Sequence, residues 1–185
     1  CGIVGYIGNK PVYDILINGL KKLEYRGYDS SGIMIYNQKA LVKKAKGKVS
    51  DLEKLFVNSA DKQGHLGIGH TRWATHGPPN QINSHPHSSN SGEIILVHNG
   101  IIENYDSIKK ILSKKGYVFH SDTDSEVLVN LIEDIKKTKK VKLGKAVYYA
   151  LKQVVGAYAI VVFDSKNPKE IVGARLGSPL AIGVG

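Results

Sequence analysis

CGIVGYIG, residues 1 to 8, decides how the chain is read: a strand-length apolar run that begins on a cysteine. Its glycines punctuate residues suited to a core, with no polar tether ahead of them. From Pro11 to Tyr25 the apolar residues Val12, Ile15, Leu16, Leu20 and Leu23 recur at helical spacing after a proline suited to a helix start, which predicts a helix burying one face. Gly32 to Tyr36 and Ala40 to Lys44 read as short strands around Asn37, Gln38 and Lys39. Ser50 begins a helix with Asp51 and Glu53 in its first turn, and Gly64 to Thr71 reads as another strand. His76 to Ser91, rich in Pro, Asn, Ser and His and without an apolar period, reads as a long loop of the kind that often carries function.

Downstream, EIILVH (Glu93 to His98) has the continuous apolar character of a buried strand and runs straight into Asn99 and Gly100. A helix is expected from Asn104 to Lys115, closed by Gly116. Thr123 and Glu126 have capping-box spacing ahead of Val127, Leu128, Leu131, Ile132 and Ile135, which share one helical stripe. A further stripe, Leu143, Ala146, Val147, Ala150, Leu151 and Val154, is expected to end at Gly156. Strands at Ala157 to Asp164, Glu170 to Gly173 and Leu180 to Val184 complete the chain. Because strands and helices mix without strict alternation, the pattern favours an antiparallel α+β sandwich over a doubly wound parallel sheet.

A length of 185 residues with 42% apolar content fits one domain, residues 1–185, with a core large enough to hold a fixed site. No apolar run approaches the roughly 18 to 20 residues of a membrane span, and no secretory leader opens the chain, so a cytoplasmic protein is expected. The net charge of +10 comes from dispersed lysines, with one cluster at Lys136, Lys137, Lys139, Lys140 and Lys142 that solvates a helix. Tyrosines are scattered singly, so the interleaved basic and aromatic pattern of a nucleic-acid binder is missing. One cysteine excludes an internal disulfide and suits a reducing compartment. His70, His76, His85, His87 and His98 invite a metal reading, but no compact set such as HExxH accompanies them, so neither metal nor cofactor is expected. The opening glycines lack both the GxGxxG order and a GK[ST] ending, which removes a nucleotide loop.

Four elements bear on chemistry. A cysteine at position 1 is either an arbitrary edge or a processed terminus, and as a terminus it sets a thiol of pKa about 8.5 beside an α-amine of about 7.7 to 8, so that one residue holds nucleophile and base. A buried structural or a lipidated cysteine is the plainer alternative. Asn99 and Gly100 offer a side-chain amide and an unshielded backbone N–H to a tetrahedral oxyanion, although Asn-Gly is also a common turn dipeptide. The planar fork of Arg72 suits bidentate capture of a carboxylate, and Trp73 beside it could wall a pocket. Asp124, at a helix start, could hold an ammonium group or simply begin the helix. Together these describe a site for an amino acid that carries a side-chain amide.

The segments CGIVGYIG at Cys1, LEYRGYDSSGI at Leu23, HTRWATHG at His70, NSHPH at Asn83, VHNGIIENY at Val97, SDTDSE at Ser121 and GSPLAIG at Gly177 closely resemble the glutaminase (class II glutamine amidotransferase) domain of the glucosamine-6-phosphate synthases. The resemblance implies an N-terminal nucleophile hydrolase fold, a four-layer αββα sandwich of two mainly antiparallel sheets. It implies that Cys1 attacks the amide of L-glutamine to form a γ-glutamyl thioester, with Asn99 and Gly100 at the oxyanion positions. Arg72, Trp73, Thr75, His76 and Asp124 would bind glutamine, with Gly77, His85 and Arg26 in support. It further implies ammonia transfer to a carboxy-terminal sugar-phosphate isomerase domain, absent here, in a homo-oligomeric full-length enzyme. Amidophosphoribosyltransferases and asparagine synthetases are the nearest enzyme rivals, and a glutamine sensor without turnover is the rival of another class. The chain departs from the family pattern at Ser31, where alanine is usual, and in the loop Ser88 to Gly92.

Overall fold

Alternation along each strand sorts its side chains onto two faces, and here both faces of both sheets find an apolar partner. The computed structural model describes residues 1–185. The first sheet comprises β1 (Gly2–Ile7), β2 (Ser30–Asn37), β3 (Lys39–Lys46) and β4 (Leu66–Arg72), in the spatial order β1-β4-β2-β3. The second comprises β5 (His87–Ser88), β6 (Ile94–Gly100), β7 (Tyr158–Asp164) and β8 (Ile171–Leu176), in sequential order. Every strand pair is antiparallel.

Helices α1 (Val12–Leu23) and α2 (Val49–Glu53) cover the first sheet, burying Leu16, Leu20 and Leu52 against Ile33 and Ile35. Glycines in β4 let α1 settle close: a Cβ at Gly67 would stand 2.8 Å from Leu16 Cδ1, and one at Gly69 3.0 Å from Leu20 Cδ1. The other face of the sheet sends Met34, Leu66 and Ile68 against Ile95, Val97, Val161 and Phe163 of the second. Beyond that sheet, α3 (Tyr105–Lys114), α4 (Asp124–Lys139) and α5 (Leu143–Leu151) bury Leu112, Leu128, Ile132 and Val147 against Leu96, Ile160 and Val162. The layers therefore run αββα, with three apolar seams. Each fully buried Leu, Ile or Phe is worth roughly 1.5 to 3 kcal/mol.

The expected strand at Leu180–Val184 does not form. Its apolar content matches a strand, but Ile182 and Val184 are 84% and 97% exposed, and after β8 only a single bridge, Gly177 to Tyr158, ties the chain to the sheet. Helix α5 stops at Leu151 rather than at Gly156, leaving Val154 outside it. The capping box at Thr123 is half made: its hydroxyl accepts from Glu126 N–H at 3.3 Å. The Glu126 carboxylate accepts instead from the N–H groups of His120 and Ser121, at 2.9 and 2.7 Å. The expected loop from His76 contains β5 and buries Asn83, Ser84, His85 and His87. No helix is long and apolar enough to cross a membrane.

Candidate active site

The register of β1 on β4, with Gly2 opposite Thr71, carries Cys1 to the end of β4, where the chain leaves Arg72 for an irregular loop. There the Trp73 N–H donates to Cys1 Sγ at 3.1 Å. The thiol also lies 3.5 Å from Trp73 O, which can accept its hydrogen. The α-amine of Cys1 donates to Arg26 O at 2.6 Å. Partial burial, helped by the Arg26 charge and opposed by Asp29, draws that amine below its ordinary pKa of 8.0. The neutral, proton-accepting form is thereby favoured.

Arg72 is buried at the mouth of the same loop. Its guanidinium donates to the carbonyl oxygens of His76, Gly77 and Pro78, the last two at 3.2 and 3.4 Å. The predicted carboxylate ligand thus also fastens residues 76–78. Asp29, which no sequence signal singled out, holds the loop's beginning: its carboxylate accepts from Ala74 N–H and from the Ser30 hydroxyl. Asp124 opens α4. One of its oxygens accepts from Ile102 N–H at 2.7 Å, while the other lies 3.9 Å from His76 Nδ1.

Asn99 and Gly100 end β6. Ile101 N–H bonds Ala157 O, so in an antiparallel ladder the N–H of Gly100 points away from β7. On that side β5 pairs only with Leu96 and Ile95, leaving the end of β6 an open edge. Gly100 has φ +123°, and an added Cβ would overlap Ala157 O. A side chain is excluded there on both counts.

These elements surround a cavity of about 220 Å³ lined by Cys1, Arg72, Trp73, Thr75, His76, His85, Gly100 and Asp124. Sites for drug-sized ligands run to roughly 300 to 1,000 Å³, so this one suits a single small metabolite. A guanidinium and a carboxylate occupy it together with the thiol. Asn99 and Arg26 instead line, with Cys1, an adjoining hollow of about 420 Å³. Gly77 stands outside the cavity lining. At φ +73°, with a Cβ there only 2.7 Å from Asp122 Cβ, it serves the path of the loop.

Residues 42–182 match the family model described as "Glutamine amidotransferase domain". The chain belongs to the glutamine amidotransferase family. It is 57% identical over its whole length to a glutamine–fructose-6-phosphate aminotransferase (isomerizing) from Bacteroides thetaiotaomicron, and 48% identical to that of Pyrococcus horikoshii. It spans 30% and 31% of those proteins. Among solved structures, a glutamine phosphoribosylpyrophosphate amidotransferase from B. subtilis, complexed with ADP and GMP, superposes with a TM-score of 0.76 at 29% identity. That match covers 89% of this chain and 35% of the other. The αββα layering is accordingly the N-terminal nucleophile fold of the amidotransferases.

Within this amidotransferase site, Ser125, His98, Thr123 and Ile101 also line the cavity; the sequence had marked His98 only as a metal candidate and Thr123 only as a helix cap, and Ser125 and Ile101 not at all. Ser125 Oγ stands 2.9 Å from His85 Nε2 and 2.8 Å from His98 Nδ1, and His87 Nε2 meets Thr123 Oγ1 at 3.1 Å. Burial pushes His85 and His87 well below the ordinary imidazole range, and lowers His98. Four of the five histidines that suggested metal binding thus meet hydroxyls, His85 and His98 that of Ser125, His87 that of Thr123 and His76 that of Thr75, while His70 meets carbonyl oxygens. His85 in particular supports the cavity wall through Ser125.

Proposed function

We propose that the chain hydrolyses L-glutamine to L-glutamate and ammonia through a thioester on Cys1. The observation that carries this reading is the placement of the Cys1 thiol, sulfur facing the Trp73 N–H, in one small cavity with the cation Arg72 and the anion Asp124. Arg72 takes the α-carboxylate and Asp124 the α-ammonium, which leaves the side-chain amide of the substrate for Cys1. Trp73, Thr75 and His76 close the loop side of the pocket.

The α-amine of Cys1, with its lowered pKa, takes the thiol proton directly or through one water. Sγ adds to the amide carbon, and the carbonyl oxygen becomes an oxyanion facing Asn99 Nδ2 and the Gly100 N–H. The C–N bond breaks as the ammonium of Cys1 returns its proton to the leaving nitrogen, releasing ammonia and a γ-glutamyl thioester. Water then attacks the thioester, with the same amine as base, to give glutamate and free thiol.

In the whole protein, we take this domain, residues 1–185, to supply ammonia to a carboxy-terminal domain that aminates fructose 6-phosphate. The enzyme would be homo-oligomeric and cytoplasmic. The reading assigns no cofactor, nucleic acid or membrane partner. The test is glutamate release from glutamine by the purified chain, with Cys1→Ala alongside, and mass spectrometry after brief exposure to an electrophilic glutamine analogue. Turnover by the wild type only, and a single adduct on Cys1, are expected. Turnover by Cys1→Ala would refute the mechanism.

A further inference from the structure

Alternation in β4 puts His70 on the same face as Leu66 and Ile68, between the sheets, where it is fully buried. Its Nε2 lies 3.0 Å from His98 O and 2.8 Å from Asn99 Oδ1. A backbone carbonyl can only accept, so Nε2 must carry the hydrogen. The Asn99 atom 2.8 Å from Nε2 must then be the carboxamide oxygen, an assignment that follows from the carbonyl rather than from amide geometry. With Oδ1 held by His70, Nδ2 is directed to the other side of the carboxamide, and Asn99 borders the hollow it shares with Cys1. Without that hold, the carboxamide can turn over and present a lone pair to the oxyanion.

We infer that His70 is the positioning residue of the oxyanion site: its Nε2–H clamps Asn99 Oδ1 and the adjacent His98 carbonyl, so that Asn99 Nδ2 faces the developing charge. The surroundings keep that donor in one form. Burial lowers the His70 pKa to about 3, so the ring stays neutral with a single N–H, and the hydrogen on Nε2 leaves Nδ1 bare. Nδ1 is buried without a hydrogen-bond partner, and the ring lies 4.1 Å, centroid to centroid, from that of His85. Protonating Nδ1 would give it a hydrogen with no acceptor.

The inference rests on the glutaminase reading, and its tests separate the two. Leucine approximates the ring's bulk without a donor, while glutamine places an amide nitrogen at the Nε2 position and asparagine falls short of it. His70→Leu is expected to lower kcat for glutamine hydrolysis by about 10²- to 10³-fold, the cost of one oxyanion donor, with KM within about threefold. His70→Gln should regain at least about tenfold of that loss, whereas His70→Asn should not. In an Asn99→Ala background, His70→Leu should cost less than about threefold more, because the two residues act as one unit. Independent, multiplying losses, or a His70→Gln as impaired as His70→Asn, would overturn the inference. Should His70→Leu fail to fold, the Gln and Asn pair carries the comparison. Long-range ¹H–¹⁵N spectra supply a readout without turnover: His70 is expected as the neutral Nε2–H tautomer from pH 5 to 8, and an Nδ1–H form refutes the clamp whatever the activity. An inactive wild type with the expected tautomer would instead count against the glutaminase reading alone.

Discussion

Lowering the pH from 7.5 to 5.5 should cost this fold several kcal/mol, through histidines that play no part in proton transfer. His70, His85 and His87 are buried and neutral, His70 with a pKa of about 3 and the other two well below the usual range. In the unfolded chain each returns to an ordinary value of 6.5. A depressed folded pKa makes the unfolded state the better proton acceptor, so stability is complete above 6.5 and declines as pH falls below it. Between pH 7.5 and 5.5 each such residue contributes RT ln(11/1.1), about 1.4 kcal/mol, and the three together about 4 kcal/mol. Against a total of roughly 5 to 15 kcal/mol this is a large fraction. The lowered α-amine of Cys1 acts in the same direction. With a urea m-value of about 2 kcal/mol/M, the unfolding midpoint should fall by about 2 M. The assay is urea unfolding followed by circular dichroism at the two pH values. A shift smaller than about 0.5 M would mean that the imidazoles are charged or solvated in the native protein, and the clamp at Asn99 would fall with them.

Four further outcomes are expected. The acid limb of the kcat/KM profile for glutamine should reflect the α-amine, with activity rising as pH climbs through a pKa below 8.0. Retaining one residue ahead of Cys1 should abolish that limb together with most of the rate, as stopped assays of glutamate would show. Arg72→Lys should raise KM for glutamine by about 10-fold or more, because an ammonium can neither fork onto a carboxylate nor reach three loop carbonyls; an unchanged KM would place the carboxylate elsewhere. Gly100→Ala should destabilise by at least about 1 to 3 kcal/mol from its φ alone, with more from the overlap with Ala157 O, and thermal melts would register it.

The strands with the clearest patterning, GIVGYI and IILVHNG, were legible within a residue or two at their ends, as was the amphipathic α1. Local pattern failed where the decision belongs to distant partners. Leu180 to Val184 has the apolar content of a strand, yet no neighbouring strand takes it up, and Leu180 instead packs against the inter-sheet core. Asn83 to His87 reads as polar loop, yet it is buried because Asp122, Thr123 and Ser125 supply its hydrogen bonds. Of the candidate site, the thiol, guanidinium and carboxylate that line one cavity were legible as complementary residue types, and the Asn99 amide borders the adjoining hollow. Asp29, Ser125 and His70 were not, since each works through a backbone group or another side chain, a role that leaves no mark in composition or spacing.

The two-residue length of β5 carries a consequence for how such a site can be lost. The donor at Gly100 exists because the second sheet is unfinished along that border, so the reactive corner is made of a vacancy in the ladder as much as of any side chain. Carrying the β5 pairing on from Leu96 over the next four residues to Gly100 would occupy the amide and remove the proposed oxyanion donor while every named side chain stayed in place. An insertion near Ser84 to His87 that lengthened β5 would thus disable the proposed site of this chain without altering any side chain assigned to it.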